Sequence, residues 1–256
     1  MTMTTHPFLF LAATCAALLA ALRPVHAEAP LRVAISPDIA PYVTDSATGG
    51  FEVALMHALL PGRTLTFVQH PYAALQTAVP RGEADIAVGV QPGDDGAWYS
   101  GPVIAFVNYA ISRKSDTLPV ATVSDLAPYP LLTWQNAYRE LGPAFEQAYA
   151  PGTGLHARLV EIADQSEQVR RFWAVPKQIV VIDGSIFEHL SHQQGQDPGE
   201  AEFHALFPPT TDFRVAFRDP VQRDEFDRNL IELCQRGAYQ ALRDRYGIPV
   251  GGICPR

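Results

Sequence analysis

Short apolar runs alternate with amphipathic segments in the first part of the chain. Alternating, β-branched runs predict strands at 31–35, 65–68 and 85–90. Between them, apolar residues spaced three and four apart predict helices at 51–60 and 72–79. A strand–helix–strand order is typical of a parallel α/β sheet, whose ligands bind beyond the carboxyl ends of the strands. The loops that leave the first and third strands are therefore candidates for a binding site.

A second set of similar elements follows a polar break at 112–116. Its predicted strands are 131–134, 158–162 and 178–183, and its predicted helices are 138–149, 166–173 and 185–192. After a polar loop at 193–202, the pattern closes with a strand at 214–218 and an amphipathic helix at 221–246, broken near Gly237. Two α/β units with a helix left over predict two lobes separated by a cleft.

The N-terminal segment has a different character. Residues 8–22 form an apolar run without charge, and Val25-His26-Ala27 fits a small-x-Ala cleavage site before Glu28. A membrane anchor is the alternative, but the run is shorter than the roughly 20 residues that a bilayer needs. We therefore expect residues 1–27 to be a cleaved signal peptide.

Charge and cysteine content narrow the class of protein. The 256-residue chain carries 19 Lys and Arg against 27 Asp and Glu, a net charge of −8. An acidic protein repels phosphate backbones, so we do not expect a nucleic-acid partner. After cleavage, Cys234 and Cys254 remain. An oxidising compartment favours a disulfide between them, with two unpaired thiols as the alternative.

Several short stretches resemble one family in their order and spacing. They are Leu31 to Ala34, Ala40-Pro41-Tyr42, Gly50 to Leu55, Arg81 to Ile86, Tyr99 to Pro102, Val180 to Asp183 and Cys234 to Tyr239. Together they resemble the periplasmic type II solute-binding proteins, in particular the polar amino-acid group of ABC transporter binding proteins, family 3.

The resemblance implies an α/β Venus-flytrap fold in which each lobe is a sheet flanked by helices. Lobe 1 would comprise 28–113 with 213–256, and lobe 2 would comprise 114–212. Two extended crossings near Ser112 and Asp212 would form the hinge. The chain would be a periplasmic monomer that closes on a small solute and docks on an ABC permease or another membrane or periplasmic partner, with no cofactor and no catalysis.

Two loops depart from the family's amino-acid site. The family places an arginine after the third strand, where its planar fork clamps the ligand's carboxylate. Here 91–97 has no arginine, and Asp94 and Asp95 would repel a carboxylate. A family G-T-T turn is replaced by 134–139, whereas Asp183 stands at the position of the family's amine-binding carboxylate.

Two accounts of the ligand follow from these departures. In the first, the ligand is a cation, an amine or a neutral polar molecule, because aromatic faces favour cations or flat rings. In the second, Arg139 or a backbone nest supplies the missing positive group. The candidate ligand-binding residues are Ser36, Asp38, Tyr42, Gly89, Gln91, Asp94, Trp98, Trp134, Gln135, Asn136, Arg139 and Asp183.

Each candidate also has a structural interpretation. Residues 92–96 form an ordinary turn sequence, in which Asp serves the turn geometry. Trp98 and Trp134 are compatible with core packing, and Asp183 is compatible with an N-cap for the helix that follows it.

The sequence offers little support for catalysis or metal binding. His189 and His192 are spaced to share a helix face, but no third metal ligand is recognisable, so we expect no metal. The sequence contains no G-x-S-x-G, H-E-x-x-H, P-loop or C-x-x-C. Two alternatives to solute binding stay open on the same scaffold. One is a docking subunit for a sensor or an oxidoreductase, and the other is a cleft dehydratase or lyase.

Overall fold

The computed structural model of the protein describes residues 1–2, 29–248 and 253–254. The predicted signal peptide therefore lies, apart from its first two residues, outside the described chain. Among the described residues, no helix has the length and apolar character needed to cross a bilayer.

The described chain alternates strands and helices in the order that the sequence predicts. The strands are β1 (Leu31–Ile35), β2 (Leu65–Gln69), β3 (Ile86–Val90), β4 (Trp98–Tyr99), β5 (Ile104–Phe106), β6 (Asn108–Arg113), β7 (Leu131–Thr133), β8 (Leu159–Glu161), β9 (Ile179–Asp183), β10 (Ala201–His204) and β11 (Thr211–Phe217). The helices are α1 (Phe51–Leu59), α2 (Tyr72–Leu75), α3 (Pro143–Tyr149), α4 (Gln165–Ala174), α5 (Gly184–Gln193), α6 (Pro220–Gln235) and α7 (Ala238–Arg245).

The first sheet has the strand order β2-β1-β3-β11-β4, and β5 pairs with β11. β1 runs parallel to β2 and β3, whereas β11 runs antiparallel to β3. Helices α1, α6 and α7 pack together, and α6 contacts β11. We call this sheet with α1, α2, α6 and α7 the first lobe.

The second sheet has the order β10-β6-β9-β7-β8. The central strand β9 is buried along its whole length, as expected for a strand covered on both faces. Val180 and Ile182 pack in the same cluster as α4 and α5, whereas Ile179 and Val181 pack with Phe145 of α3. We call this sheet with α3, α4 and α5 the second lobe.

Two crossings join the lobes. β5 pairs with β11 in the first sheet, and β6 pairs with β9 and β10 in the second, so the chain changes sheet at Val107. It returns between β10 and β11 at 205–210. These sheet changes lie closer to the N-terminus than the expected crossings near Ser112 and Asp212. Because β5 and β6 are both apolar, the sequence pattern of 104–111 does not show where the chain passes from the first sheet to the second. The division of the lobes into 28–113 with 213–256, and 114–212, stays a prediction.

Local chemistry explains where several elements begin and end. Asp164 caps α4 by accepting from Ser166 N and Glu167 N, and Asp219 caps α6 by accepting from Val221 N. α1 begins after Gly50, whose φ is 96°. A Cβ at Gly50 would lie 2.3 Å from the carbonyl oxygen of Tyr42, so the close approach of the preceding loop requires glycine.

Three elements differ from the sequence prediction. The predicted helix at 72–79 is only one turn, α2. The predicted helix at 138–149 is divided, because Gly142 and Pro143 separate a short 3-10 turn from α3. β10 replaces part of the predicted polar loop, where an edge strand with exposed Glu202 gives little apolar signal.

The predicted disulfide is present. Cys234 of α6 and Cys254 are joined with a sulfur–sulfur distance of 2.04 Å, across a sequence separation of 20. The bridge attaches the C-terminal segment to the helix that packs against the first sheet.

Candidate functional site

One cavity lies between the lobes, at the carboxyl ends of the central strands. The first lobe contributes Ser36 after β1 and Gly89 in β3, and the second contributes Trp134 and Gln135 after β7 and Asp183 at the end of β9. This interlobe cavity has a volume of about 70 Å³, which is room for about five water-sized groups. Its position matches the rule for ligand sites in α/β sheets.

Aromatic rings form much of the cavity wall. Phe106 of β5 and Phe213 of β11 meet edge to face with ring centroids 5.1 Å apart. Tyr72 of α2 lies 6.2 Å from Phe213, and Trp134 adds a ring from the second lobe. Aromatic faces attract cations through the ring quadrupole, so the wall favours a positively charged or flat ligand group.

Glu52 places a carboxyl group in this wall. It lies in the first turn of α1, is 2% exposed, and its Oε2 has no hydrogen-bond partner among the described residues. A Cβ added at Gly89 would lie 3.8 Å from Oε2, which is an ordinary contact distance, so the carboxyl group lies directly beside β3. Burial raises the pKa of Glu52 to about 8, because the charged form loses its hydration.

Asp183, the candidate amine-binding residue, is already engaged by backbone groups. Its Oδ1 accepts from Ile186 N at 3.1 Å and its Oδ2 accepts from Val107 N at 2.8 Å. It is therefore the N-cap of α5, the alternative that the sequence left open, although it also lines the cavity. Burial raises its pKa to about 6, and the hydrogen bonds from Ile186, Val107 and Ser185 oppose the rise.

The cavity lining has an acidic character. Among the described residues, none of the side chains that line it is a lysine, an arginine or a histidine. Ser36 Oγ and Gln165 Oε1 also line it and are buried without a partner in the described structure. A ligand with N–H donors would satisfy these oxygens, whereas a carboxylate would meet no positive side chain.

A hydrogen-bond network crosses the cleft beside the cavity. The Tyr72 hydroxyl of the first lobe donates to Glu140 Oε1 of the second, and Trp134 Nε1 donates to Glu140 Oε2 at 3.2 Å. Ala73 N donates across the cleft to Gln135 Oε1 at 3.3 Å. Burial raises the pKa of Glu140 to about 7, and the bonds from Tyr72 and Trp134 oppose the rise. The two lobes are thus in direct polar contact, and we call Tyr72, Trp134 and Glu140 the cleft network.

Three candidate residues lie on a separate outer crevice, beyond the cleft network. Gln91, Asn136 and Arg139 line this crevice, which has a volume of about 780 Å³. The Arg139 guanidinium stacks on the Tyr138 ring at 5.6 Å, and its Nε donates to the Tyr138 hydroxyl at 3.2 Å. Arg139 therefore does not line the interlobe cavity. In this arrangement it does not supply the positive group that would bind a carboxylate in that cavity.

Four further candidates do not line the interlobe cavity. Tyr42 is 1% exposed and packs against Phe106 with ring centroids 4.6 Å apart. Asp38 is exposed and accepts hydrogen bonds from Ser46 N at 3.1 Å and from Gln69 Nε2 of β2 at 2.7 Å. Asp94 is exposed in the loop after β3, and Trp98 is 48% exposed in β4. Tyr42 is therefore a core residue, and Asp38, Asp94 and Trp98 lie outside the interlobe cavity.

The sequence also missed residues that form the site. Glu52, Tyr72, Glu140 and Gln165 were not among the candidates. For Glu52, the available signal was an acid between the apolar residues Phe51 and Val53 at the start of an apolar helix. The contacts of Tyr72 and Glu140 join residues 68 positions apart, which no local pattern reveals.

Comparison with known proteins supports the fold. The chain matches no family model, and no curated protein matches its sequence. Among solved structures it is similar to a histidine kinase sensor domain with similarity to periplasmic binding proteins, at 18% identity and a TM-score of 0.71, covering 85% of this chain and 95% of that one.

Two further solved structures are similar to the same extent. ArgBP from T. maritima matches at 16% identity and a TM-score of 0.69, over 86% of this chain and 95% of that one. An ABC uptake transporter substrate binding protein from Streptococcus pneumoniae with bound histidine matches at 13% identity and a TM-score of 0.70. The match covers 85% of this chain and 92% of that one. The chain thus has the two-lobed periplasmic binding protein type II fold, which confirms the predicted fold class.

Proposed function

We propose that the protein is an extracytoplasmic solute-binding protein that captures a small amine-bearing solute between its lobes, without catalysis. The observation that carries the proposal is the lining of the interlobe cavity. It combines carboxyl groups from both lobes with aromatic rings, and no basic side chain lines it in the described chain.

The chemistry of this lining selects among ligand charges. A cation gains from the ring faces and from the carboxyl groups of Glu52 and Asp183, whereas an anion meets no positively charged side chain in the lining. A cavity volume of about 70 Å³ favours a compact molecule. Contacts made to both lobes at once would stabilise the closed arrangement, so the solute would act by shifting the population of closed molecules.

We further propose that the protein works in the periplasm and delivers its solute to an ABC permease as a monomer. The signal-like residues 1–27 and the Cys234–Cys254 disulfide support an oxidising location. The fold shared with an ABC uptake transporter substrate binding protein supports the transport role.

A thermal-shift experiment with matched probes tests the proposed ligand class. The probes are n-propylammonium, guanidinium and ethanolamine, with n-propanol as the neutral control and propionate, glycine and L-glutamate as carboxylate controls. A ligand at 100 times its dissociation constant should stabilise the protein by about 2.7 kcal/mol. Stabilisation by the cations alone supports the proposal. Stabilisation by propionate or L-glutamate without the amines contradicts it.

A docking subunit is a second candidate, because the cleft network and the Ala73–Gln135 bond join the lobes directly. Such a protein would respond to none of the probes. Its sedimentation behaviour would instead change on mixing with a membrane or periplasmic partner.

A further inference from the structure

The two acids of the interlobe cavity are not equivalent. Asp183 uses both oxygens on backbone N–H groups of Ile186 and Val107, where it caps α5 and holds the first crossing. Glu52 has an unpartnered Oε2 at 2% exposure. An unpaired buried carboxyl group is unfavourable, and the neighbours of Glu52 in α1, Phe51 and Val53, are buried apolar residues.

The surroundings of Glu52 suit a cationic nitrogen. Its carboxyl group lies beside Gly89, in the same cavity as Phe106, Trp134 and Phe213. A ligand nitrogen there would contact ring faces and a carboxylate together, which is the arrangement that recognises ammonium groups.

We propose that Glu52 of the first lobe, and not Asp183 of the second, is the group that receives the solute's cationic nitrogen. Asp183 instead positions α5 and Val107 around the cavity. This inference rests on the proposed binding of an amine, and it makes Glu52 a specificity-determining residue.

Proton release accompanies this mode of binding. Glu52 is protonated at neutral pH because burial raises its pKa to about 8, so an arriving cation displaces the carboxyl proton. The other charged or titratable groups of this region are Asp183, Tyr239 and Arg243, which act together with Glu52 on Tyr42. Asp183, with a pKa of about 6, is already mostly ionised at pH 7 and has little proton to release.

Calorimetric titration with n-propylammonium tests the assignment. The variants are Glu52→Gln, which keeps the shape and removes the charge, and Glu83→Gln, a matched control at an exposed glutamate. Losing a hydrogen bond to a charged group should weaken binding roughly 10- to 100-fold in Glu52→Gln. Glu83→Gln should bind like the wild type.

Titration in two buffers of different ionisation enthalpy supplies an independent readout. Binding to the wild type at pH 7 should release about 0.9 proton, the protonated fraction of a group whose pKa is about 8. Glu52→Gln should release close to none. A merely structural role for Glu52 would not link it to this proton count.

The outcomes separate the two proposals. If the wild type binds none of the amines, the proposed function fails. If it binds n-propylammonium, but Glu52→Gln binds it equally well or releases the same number of protons, the amine function stands and the assignment to Glu52 is wrong. Circular dichroism of each variant verifies folding. If Glu52→Gln does not fold, Glu52→Asp replaces it, and unchanged affinity with unchanged proton release would again overturn the assignment.

Discussion

From the cleft network we predict that the Tyr72 hydroxyl controls how large a fraction of the molecules has separated lobes. Tyr72→Phe removes the donor to Glu140 Oε1 and leaves the ring in the cavity wall. Trp134 Nε1 and the Ala73–Gln135 bond remain. The variant should therefore favour the open arrangement without unfolding either lobe.

The magnitude follows from the type of bond lost. At pH 8 and above, where Glu140, with a pKa of about 7, is mostly ionised, a hydrogen bond to this charged acceptor contributes about 1.5–3 kcal/mol, so the equilibrium between closed and open molecules should shift roughly 10- to 150-fold. A wild-type ratio of about 100 closed to 1 open would fall to between about 10 to 1 and near unity.

Hydrogen exchange of tryptophan indole groups measures this shift. The Trp134 indole donates to Glu140 within the second lobe, and because Trp134 lines the interlobe cavity, its N–H should become accessible when the cleft opens. The Trp173 indole donates to Ser191 Oγ at 3.0 Å within the second lobe and serves as an internal control. Starting from that ratio, Tyr72→Phe should raise the open fraction, and with it the exchange rate at Trp134, roughly 10- to 60-fold, and it should leave the exchange rate at Trp173 unchanged.

A matched variant guards against a general effect of losing a tyrosine hydroxyl. Tyr138→Phe removes a hydroxyl whose partner, Arg139, lies in the same lobe, so Trp134 should exchange at the wild-type rate. Equal Trp134 exchange in Tyr72→Phe and the wild type would refute the idea that the cleft network resists opening.

Three further predictions concern stability. Replacing Cys234 and Cys254 by Ala should lower the free energy of unfolding by about 3 kcal/mol for a 20-residue separation, seen as a lower Tm; an unchanged Tm would contradict it. Gly50→Ala places its Cβ 2.3 Å from a carbonyl oxygen, so it should lower the free energy of unfolding in urea by about 3 kcal/mol or more. Gly62→Ala has nothing within 4 Å of its added Cβ and should lower it by only about 1 kcal/mol. Equal losses in the two variants would count against the steric argument. Because burial raises the pKa of Glu52 from 4.5 to about 8, the folded state holds this proton more tightly, so stability falls as pH rises through that window by at most about 1.4 kcal/mol per pH unit. Urea unfolding at pH 5 and 8 should show a smaller fall in Glu52→Gln, and an equal fall would show that Glu52 does not titrate in this way.

The sequence was most informative where local chemistry decides the structure. Apolar periodicity located β1, α1 and β9, and the capping signal at Asp183 was present beside the family interpretation of the same residue. The disulfide followed from two remaining cysteines and an expected oxidising location. These features depend on neighbours in sequence or on composition, which a single chain displays.

The site depended on information that the sequence does not display. Glu52 lies on α1 at a position where a helical pattern allows a solvated acid, and only packing against the β1–α1 loop and Gly89 buries it. Trp98, in a candidate loop, is instead about half exposed because β4 pairs with β11 at the edge of the first sheet. Family spacing placed Arg139 near the ligand, but its stacking on Tyr138 directs it to the outer crevice.

The hydrogen bonds that attach Val107 to the second lobe have a consequence for how the two lobes move. Its N–H is held by Asp183 and its carbonyl oxygen accepts from Gly184 N at 3.0 Å, so this residue travels with the second lobe. Phe106, one position earlier, is paired with Thr211 of the first sheet. On this strand the change of lobe therefore falls between Phe106 and Val107, and on the return path Pro208 and Pro209 restrict the backbone torsions. The halves should therefore swing about one fixed axis and not slide, so that each opening exposes the same two walls at the same angle.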